Sequence, residues 1–285
     1  MKLSRRKMLA LGAAPLLAPP LWPSVSFGQE FTFDDILDVV EVDDESLEGA
    51  GAGLEWKEAA AEGLAIVAAI SDGRKSKTPI SEGATRMVVM FEVTSEKAYS
   101  SKYQRPIWPH GQSGVTIGIG YDLGYVSKTR FGDDWKNYIS PQDISYLEVA
   151  CRKHGAAAEA LTKQLQNFKV DYTGAHKQFV TETLPRYVGQ TEDALANCDQ
   201  LSPASLGALV SLTFNRGASY TIPENKDKTG RYQEMRNIST HMINKEFDKV
   251  PAEILSMKRL WEGKPKMKGL LTRRELEAKL FKAGL

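Results

Sequence analysis

Apolar side chains recur at helical spacing along most of the second half of the chain, and alternate at period two in Val115-Thr-Ile-Gly-Ile-Gly-Tyr-Asp-Leu-Gly124. Alternation with Thr and Gly predicts a short strand, and its glycines allow close approach of another strand or a ligand. Ahead of it, the apolar run Val88-Val-Met-Phe91 ends at Glu92, at the C-terminal end of a predicted helix entered through Ser81-Glu-Gly-Ala-Thr85. Thr116 and Asp122 lie six residues apart, an even spacing that aims both side chains at one face of a regular strand. A carboxyl from a helix, with a hydroxyl and a second carboxylate from a ribbon, is the kind of set that glycoside cleavage requires.

Downstream, helices dominate. Ser140-Pro141 pairs an N-cap with Pro at the first helical position and predicts a helix to about Leu165. Thr173 to Leu184 reads as helical until Pro185. Ser202-Pro203 repeats the start signal before the nearly all-apolar Ala204–Phe214, expected to be the central buried helix, stopped at Asn215-Arg-Gly217. Residues 220–231 read as a mobile loop and about 232–261 as helices. Thr272-Arg-Arg-Glu275 reads as a capping box opening the last one.

Charge separates the first part of the chain from the rest. Residues 29–62 hold twelve acidic residues and one Lys, a net −11. They are expected to form a solvating, loosely packed extension over 29–55, with an Ala- and Glu-rich helix over 55–71. Residues 63–285 hold 24 acidic and 32 basic residues, a net +8 that suits an anionic polymer. The basic residues are scattered and no nucleic-acid-binding motif occurs, which argues against nucleic acid. Ser4-Arg5-Arg6-Lys7-Met8-Leu9, the apolar stretch through Leu21 and Ser26-Phe-Gly28 form a twin-arginine export signal cleaved before Gln29. The organisation expected is thus a signal over 1–28, an acidic extension over 29–78 and a catalytic domain over 79–285. The mature protein is expected in the periplasm or secreted, away from the membrane. Cys151 and Cys198 are able to pair in such a compartment or to serve as small core residues. The four His residues show no metal-ligand spacing, and no metal or cofactor is expected.

Glu92 with Thr116-Ile-Gly-Ile-Gly120 resembles the phage-type lysozymes, whose helix ends in the catalytic Glu before a hairpin reading TIGIG. Phage enzymes place the second acid before the Thr, and no Asp lies between Glu92 and Thr116. The Gly120-Tyr-Asp-Leu-Gly124 run is similar instead to the pesticin-like branch, where that acid follows the Thr. Ala208–Gly217 is similar to the family helix ending Phe-Asn-x-Gly, and Gly269–Glu277 to its Gly-Leu-x-x-Arg-Arg-x-x-Glu element. These segments cover roughly 80–285.

The resemblance implies a mostly helical α+β, lysozyme-like fold with a small β-hairpin lobe beside a larger helical lobe. It also implies cleavage of the β-1,4 bond between N-acetylmuramic acid and N-acetylglucosamine in peptidoglycan. Glu92 is then the general acid, Asp122 its ionised partner and Thr116 a holder of the hydrolytic water. Tyr103, Trp108, Tyr121, Asn215 and Arg273 are candidate substrate-binding residues, with Tyr99 another possible stacking ring and His110 an alternative base. The same residues also have plain readings: turn Asp, strand Thr, core aromatics, and an Arg balancing Glu277 on a helix face. The chain is expected to act as a monomer. The alternatives are a non-catalytic or inhibitory wall-binding module, a chitosanase- or chitinase-like hydrolase and an antibacterial toxin.

Overall fold

The computed structural model describes residues 32–41, 47 and 74–285; the export signal and the helix expected over 55–71 lie outside them. Mostly helical, with one two-stranded antiparallel sheet, the described chain is α+β. Its helices are α1 (Phe33–Glu41), α2 (Glu82–Val93), α3 (Glu96–Lys102), α4 (Lys128–Trp135), α5 (Pro141–Leu147), α6 (Gly155–Gln164) and α7 (Tyr172–Gln178). After these come α8 (Leu184–Ala194), α9 (Pro203–Arg216), α10 (Gln233–Asn244), α11 (Val250–Ser256) and α12 (Lys268–Ala283).

Helix α9 is the centre. Every residue from Ser205 to Arg216 is buried, and α12, α8 and α2 pack around it. Its start is as the sequence predicts, with the Ser202 side chain accepting from Ser205 N–H and Pro203 in the first turn. Ser140 likewise caps α5 in a full capping box with Asp143. Ser81 caps α2 by accepting from Ala84 N–H, which sets the helix phase that carries Glu92 to its last turn.

The strand expected over 115–124 is a hairpin. Thr116–Ile117 (β1) pairs with Tyr121–Asp122 (β2), with Thr116 opposite Asp122. Gly118 and Gly120, at φ +58° and +67°, turn the chain back in a backbone region that side chains oppose. Thr116 and Asp122 therefore share a face as cross-strand partners, not as even positions of one strand.

Four further expectations change. The helix expected over 140–165 breaks between α5 and α6, where Arg152 and Gly155 take positive φ. Helix α7 does not stop before Pro185. It runs through a π turn, Phe179–Thr183, into α8, and Leu184 N–H bonds Phe179 O five residues back. The wider turn accommodates a proline that has no N–H to give. Helix α12 begins at Lys268, so Thr272 is interior and its hydroxyl bonds Lys268 O at 3.1 Å instead of capping a start. The 220–231 loop is pinned: Tyr220, Asp227 and Arg231 are buried, and the Tyr220 and Thr213 hydroxyls lie 3.0 Å apart.

Part of the acidic extension is also ordered. Helix α1 buries Leu37 and Val40, packs on α2, and offers Asp38 and Glu41 to Arg86, the latter at 2.6 Å. Cys151 and Cys198 are both free and buried. Among the described residues no helix is long and apolar enough to cross a membrane.

Candidate active site

Three separate stretches of sequence meet at one carboxyl. The Glu92 side chain is 6% exposed, and its Oε1 accepts from Arg273 Nη1 of α12 at 2.8 Å. Its Oε2 lies 3.5 Å from where a Cβ at Gly120 would stand, so it faces the hairpin turn; Phe214 of α9 lies 3.2 Å from the same point. Gly120 is thus required twice, for its backbone angle and for the room between Phe214 and the carboxyl.

Arg273 is fully buried. Besides Glu92 it reaches Ser211 O at 3.1 Å and Glu277 Oε1 at 3.3 Å, and its guanidinium lies over the Phe91 ring. Glu277 also pairs with Arg274 at 2.9 Å and accepts from the Ser211 hydroxyl at 2.6 Å. Two arginines and two glutamates balance, as burial of charge demands. The solvent-facing reading of Arg273 is excluded by its burial.

Asp122 has no cationic partner among the described contacts. Its Oδ2 accepts from Gly114 N–H at 3.0 Å and its Oδ1 from Gly124 N–H at 2.8 Å, tying the hairpin to the segments on either side. Gly114 cannot carry a side chain, since a Cβ there would stand 2.1 Å from Asp122 Oδ1. The residue as a whole is only partly buried, yet loss of hydration pushes its carboxyl up to about 7, against the pull of the two N–H bonds. The ionised partner expected at Asp122 is thus a carboxyl whose proton is held more tightly than usual, by burial.

The remaining candidates separate by exposure. Tyr103 is half-buried close enough to Glu92 for that charge, after burial, to raise its phenol. Trp108 is half-buried, donates to Ser113 O at 3.1 Å and meets the exposed His110 ring edge-on. Thr116 is 8% exposed, its backbone paired with Ile107. Three expected contacts are packed in the core, and of these Tyr121 also lines the small cavity beside Asp122. Tyr121 is a core ring whose hydroxyl donates to Asp134 at 2.9 Å, Tyr99 is buried against Val170 O, and Asn215 is fully buried with Oδ1 accepting from Arg274 at 3.0 Å. Their aromatic or motif character marked them as contacts, whereas core packing claimed them.

Two features escape sequence reading. Tyr187 of α8 is buried against Phe214, and after burial the charges of both Glu92 and Asp122 hold its phenol in the neutral form. It lines, with Asp122 and Gly120, a cavity of about 10 Å³, close to the space of one water. Beneath the hairpin, Asp134 is fully buried and gathers Arg130, Arg186 and the Tyr121 hydroxyl. Neither lies in a local motif; each depends on contacts tens of residues apart.

Among the described residues no group of three or more His, Cys, Asp or Glu side chains is placed to hold a metal ion. No curated protein matches the chain. A family model described as a domain of unknown function (DUF8812) is similar to residues 89–190, which takes in Glu92, the hairpin and the Asp134 cluster and stops short of Arg273.

Proposed function

We propose that this chain is a peptidoglycan hydrolase of lysozyme-like fold, cleaving the β-1,4 bond after N-acetylmuramic acid. The observation that carries the reading is the Glu92 carboxyl, with one oxygen on buried Arg273 and the other facing the hairpin that bears Thr116 and Asp122. Glycoside cleavage needs a proton for the leaving oxygen and a base or stabilising carboxylate on the sugar's other side. In this reading Glu92 Oε2, the oxygen toward the hairpin, delivers the proton.

Asp122, with its carboxyl near 7, is tuned to take a proton from water at neutral pH, because a base works best when its pKa sits close to the working pH. The small cavity beside it has room for that water, and Thr116, its cross-strand partner, is the neighbouring hydroxyl in this reading. Activation of water by Asp122 gives inversion at the anomeric carbon. An exported enzyme meets this polymer outside the cytoplasm, and the twin-arginine pattern of residues 4–9 supports that location.

A non-catalytic wall-binding module of the same fold is favoured by one observation. A Glu paired to a buried Arg, and an Asp spent on two backbone N–H groups, are also what a purely structural corner contains. Digestion of purified sacculi separates the readings. Mass spectrometry is expected to find reducing muramic ends, and Glu92→Gln to cut their rate at least about 100-fold in protein that still folds, with unfolding destabilised by about 3 kcal/mol because Arg273 loses a buried partner. Anhydro-muramic ends, or intact strands with the wild type, would overturn the hydrolase.

A further inference from the structure

A second groove, of about 360 Å³, opens on the far side of the segment that carries Tyr103. Its charged lining is Lys102, Arg105 and Lys169, and no carboxylate contributes to its wall. Lys102 and Lys169 are exposed, and Arg105 is braced by a bond from its guanidinium to Gln166 O, so three cations face solvent without neutralisation inside the groove. Held together like this, positive charge attracts an anion and supplies little fold stability.

The groove is joined to the candidate site. Ile107, in its wall, exchanges two backbone bonds with Thr116, at 2.9 and 2.8 Å, and Thr116 stands opposite Asp122. Strands so paired lie about 4.8 Å apart. From the other end of the same segment, Tyr103 senses the charge of Glu92. A ligand reaching from the cleft across residues 103–107 therefore arrives among the three cations.

We infer that this groove binds the carboxylates of the peptide stem that branches from muramic acid, and so selects peptide-bearing glycan over bare glycan. The inference rests on the hydrolase reading for its substrate, though not for its binding test. In stem-bearing glycan the cleft itself sees neutral sugars, since the lactyl carboxyl is tied up as an amide; stripping the stem leaves a single lactyl carboxylate close to the ring, out of reach of the groove. The stem brings a D-glutamate carboxylate and terminal carboxylates at a distance from the scissile bond, where binding energy raises affinity without taking part in the chemistry. Gln104 and the nearby serines supply polar groups for the stem's amides.

The test compares the mature protein with its Lys102→Glu/Lys169→Glu variant on two substrates, intact sacculi and strands stripped of stems by an amidase. The wild type is expected to cut stem-bearing strands at a KM several-fold lower than bare strands. The variant should lose that preference, with KM on sacculi up about tenfold and kcat and bare-strand cleavage unchanged. A wild type without preference, or a variant weakened equally on both substrates, overturns the inference. Titration with a muramyl tripeptide at low salt supplies the second arm. Binding that the variant loses, in a protein that cuts neither substrate, supports the groove and sinks the hydrolase. Cleavage with no tripeptide binding at any salt concentration sinks the groove alone.

Discussion

The molecule buries two arginine–carboxylate clusters a short way apart, and they differ in what is left over. At Asp134 everything is spent: Oδ2 takes Arg130 and the Tyr121 hydroxyl, and Oδ1 takes Arg186 at 2.6 Å. At Glu92, Oε1 accepts from Arg273, and Oε2 lies 3.5 Å from where a Cβ at Gly120 would stand, against the hairpin turn. The same chemistry forms an anchor beneath the hairpin and, in the proposed reading, holds the acid beside it. A buried ion pair is weak evidence of function; the direction of the second oxygen is stronger evidence.

The sharpest way to break the comparison is Arg273→Met. It leaves Glu92 and Glu277 facing each other across a lost cation, and should cost about 3–5 kcal/mol in denaturant unfolding. Asp134→Asn strands two arginines under the hairpin and should cost about 3 kcal/mol. Its expected signature is different, though: with Arg130 and Arg186 no longer neutralised in the cavity that Asp122 shares, the molecules that remain folded should show the Asp122 limb of the pH profile at lower pH. Gly120→Ala acts on the gap between the clusters. A methyl at φ +67°, 3.2 Å from Phe214, should cost about 1–2 kcal/mol and lower kcat more than its stability loss explains.

The smallest effect is one of pH. With Asp122 near 7, cleavage should rise as pH passes upward through about 7, because the base must lose its proton, and Asp122→Asn should abolish that limb. The linked stability runs the other way. A carboxyl raised above its unfolded value favours the fold when protonated, so that contribution is present at low pH and is lost as pH climbs through about 7. Unfolding measured at pH 5 and pH 8 checks the sign.

What the sequence made legible follows from range. Caps at Ser81, Ser140 and Ser202 and the apolar run of α9 are local signals, and the folded chain uses them as written. Gly118 and Gly120 were visible, yet alternation alone does not tell one strand from a tight hairpin, and the positive φ angles decide it. Thr272 carried a start signal inside a helix, because a Thr hydroxyl bonds a carbonyl four residues back as readily as it caps. At the site, the motifs marked Glu92 and Arg273 separately, and the fold brings them together. Tyr187 and Asp134 carried no mark, because their roles depend on partners brought in from elsewhere in the chain, such as Phe214 for Tyr187 and Arg186, 52 residues on, for Asp134. The aromatic signal did not show that Tyr121 would also pack in the core and donate to Asp134, since a ring next to an Asp is as useful to a core as to a sugar.

The bond between Glu92 and Arg273 spans 181 residues. A contact of that separation closes a long loop, whose entropy must be offset by the packing of α12 on α9. A partly folded chain with α2 in place but α12 undocked carries its acid without its guanidinium. The geometry that would cut a glycan is therefore absent from every intermediate in which the C-terminal helix is still adrift, and appears together with the finished core.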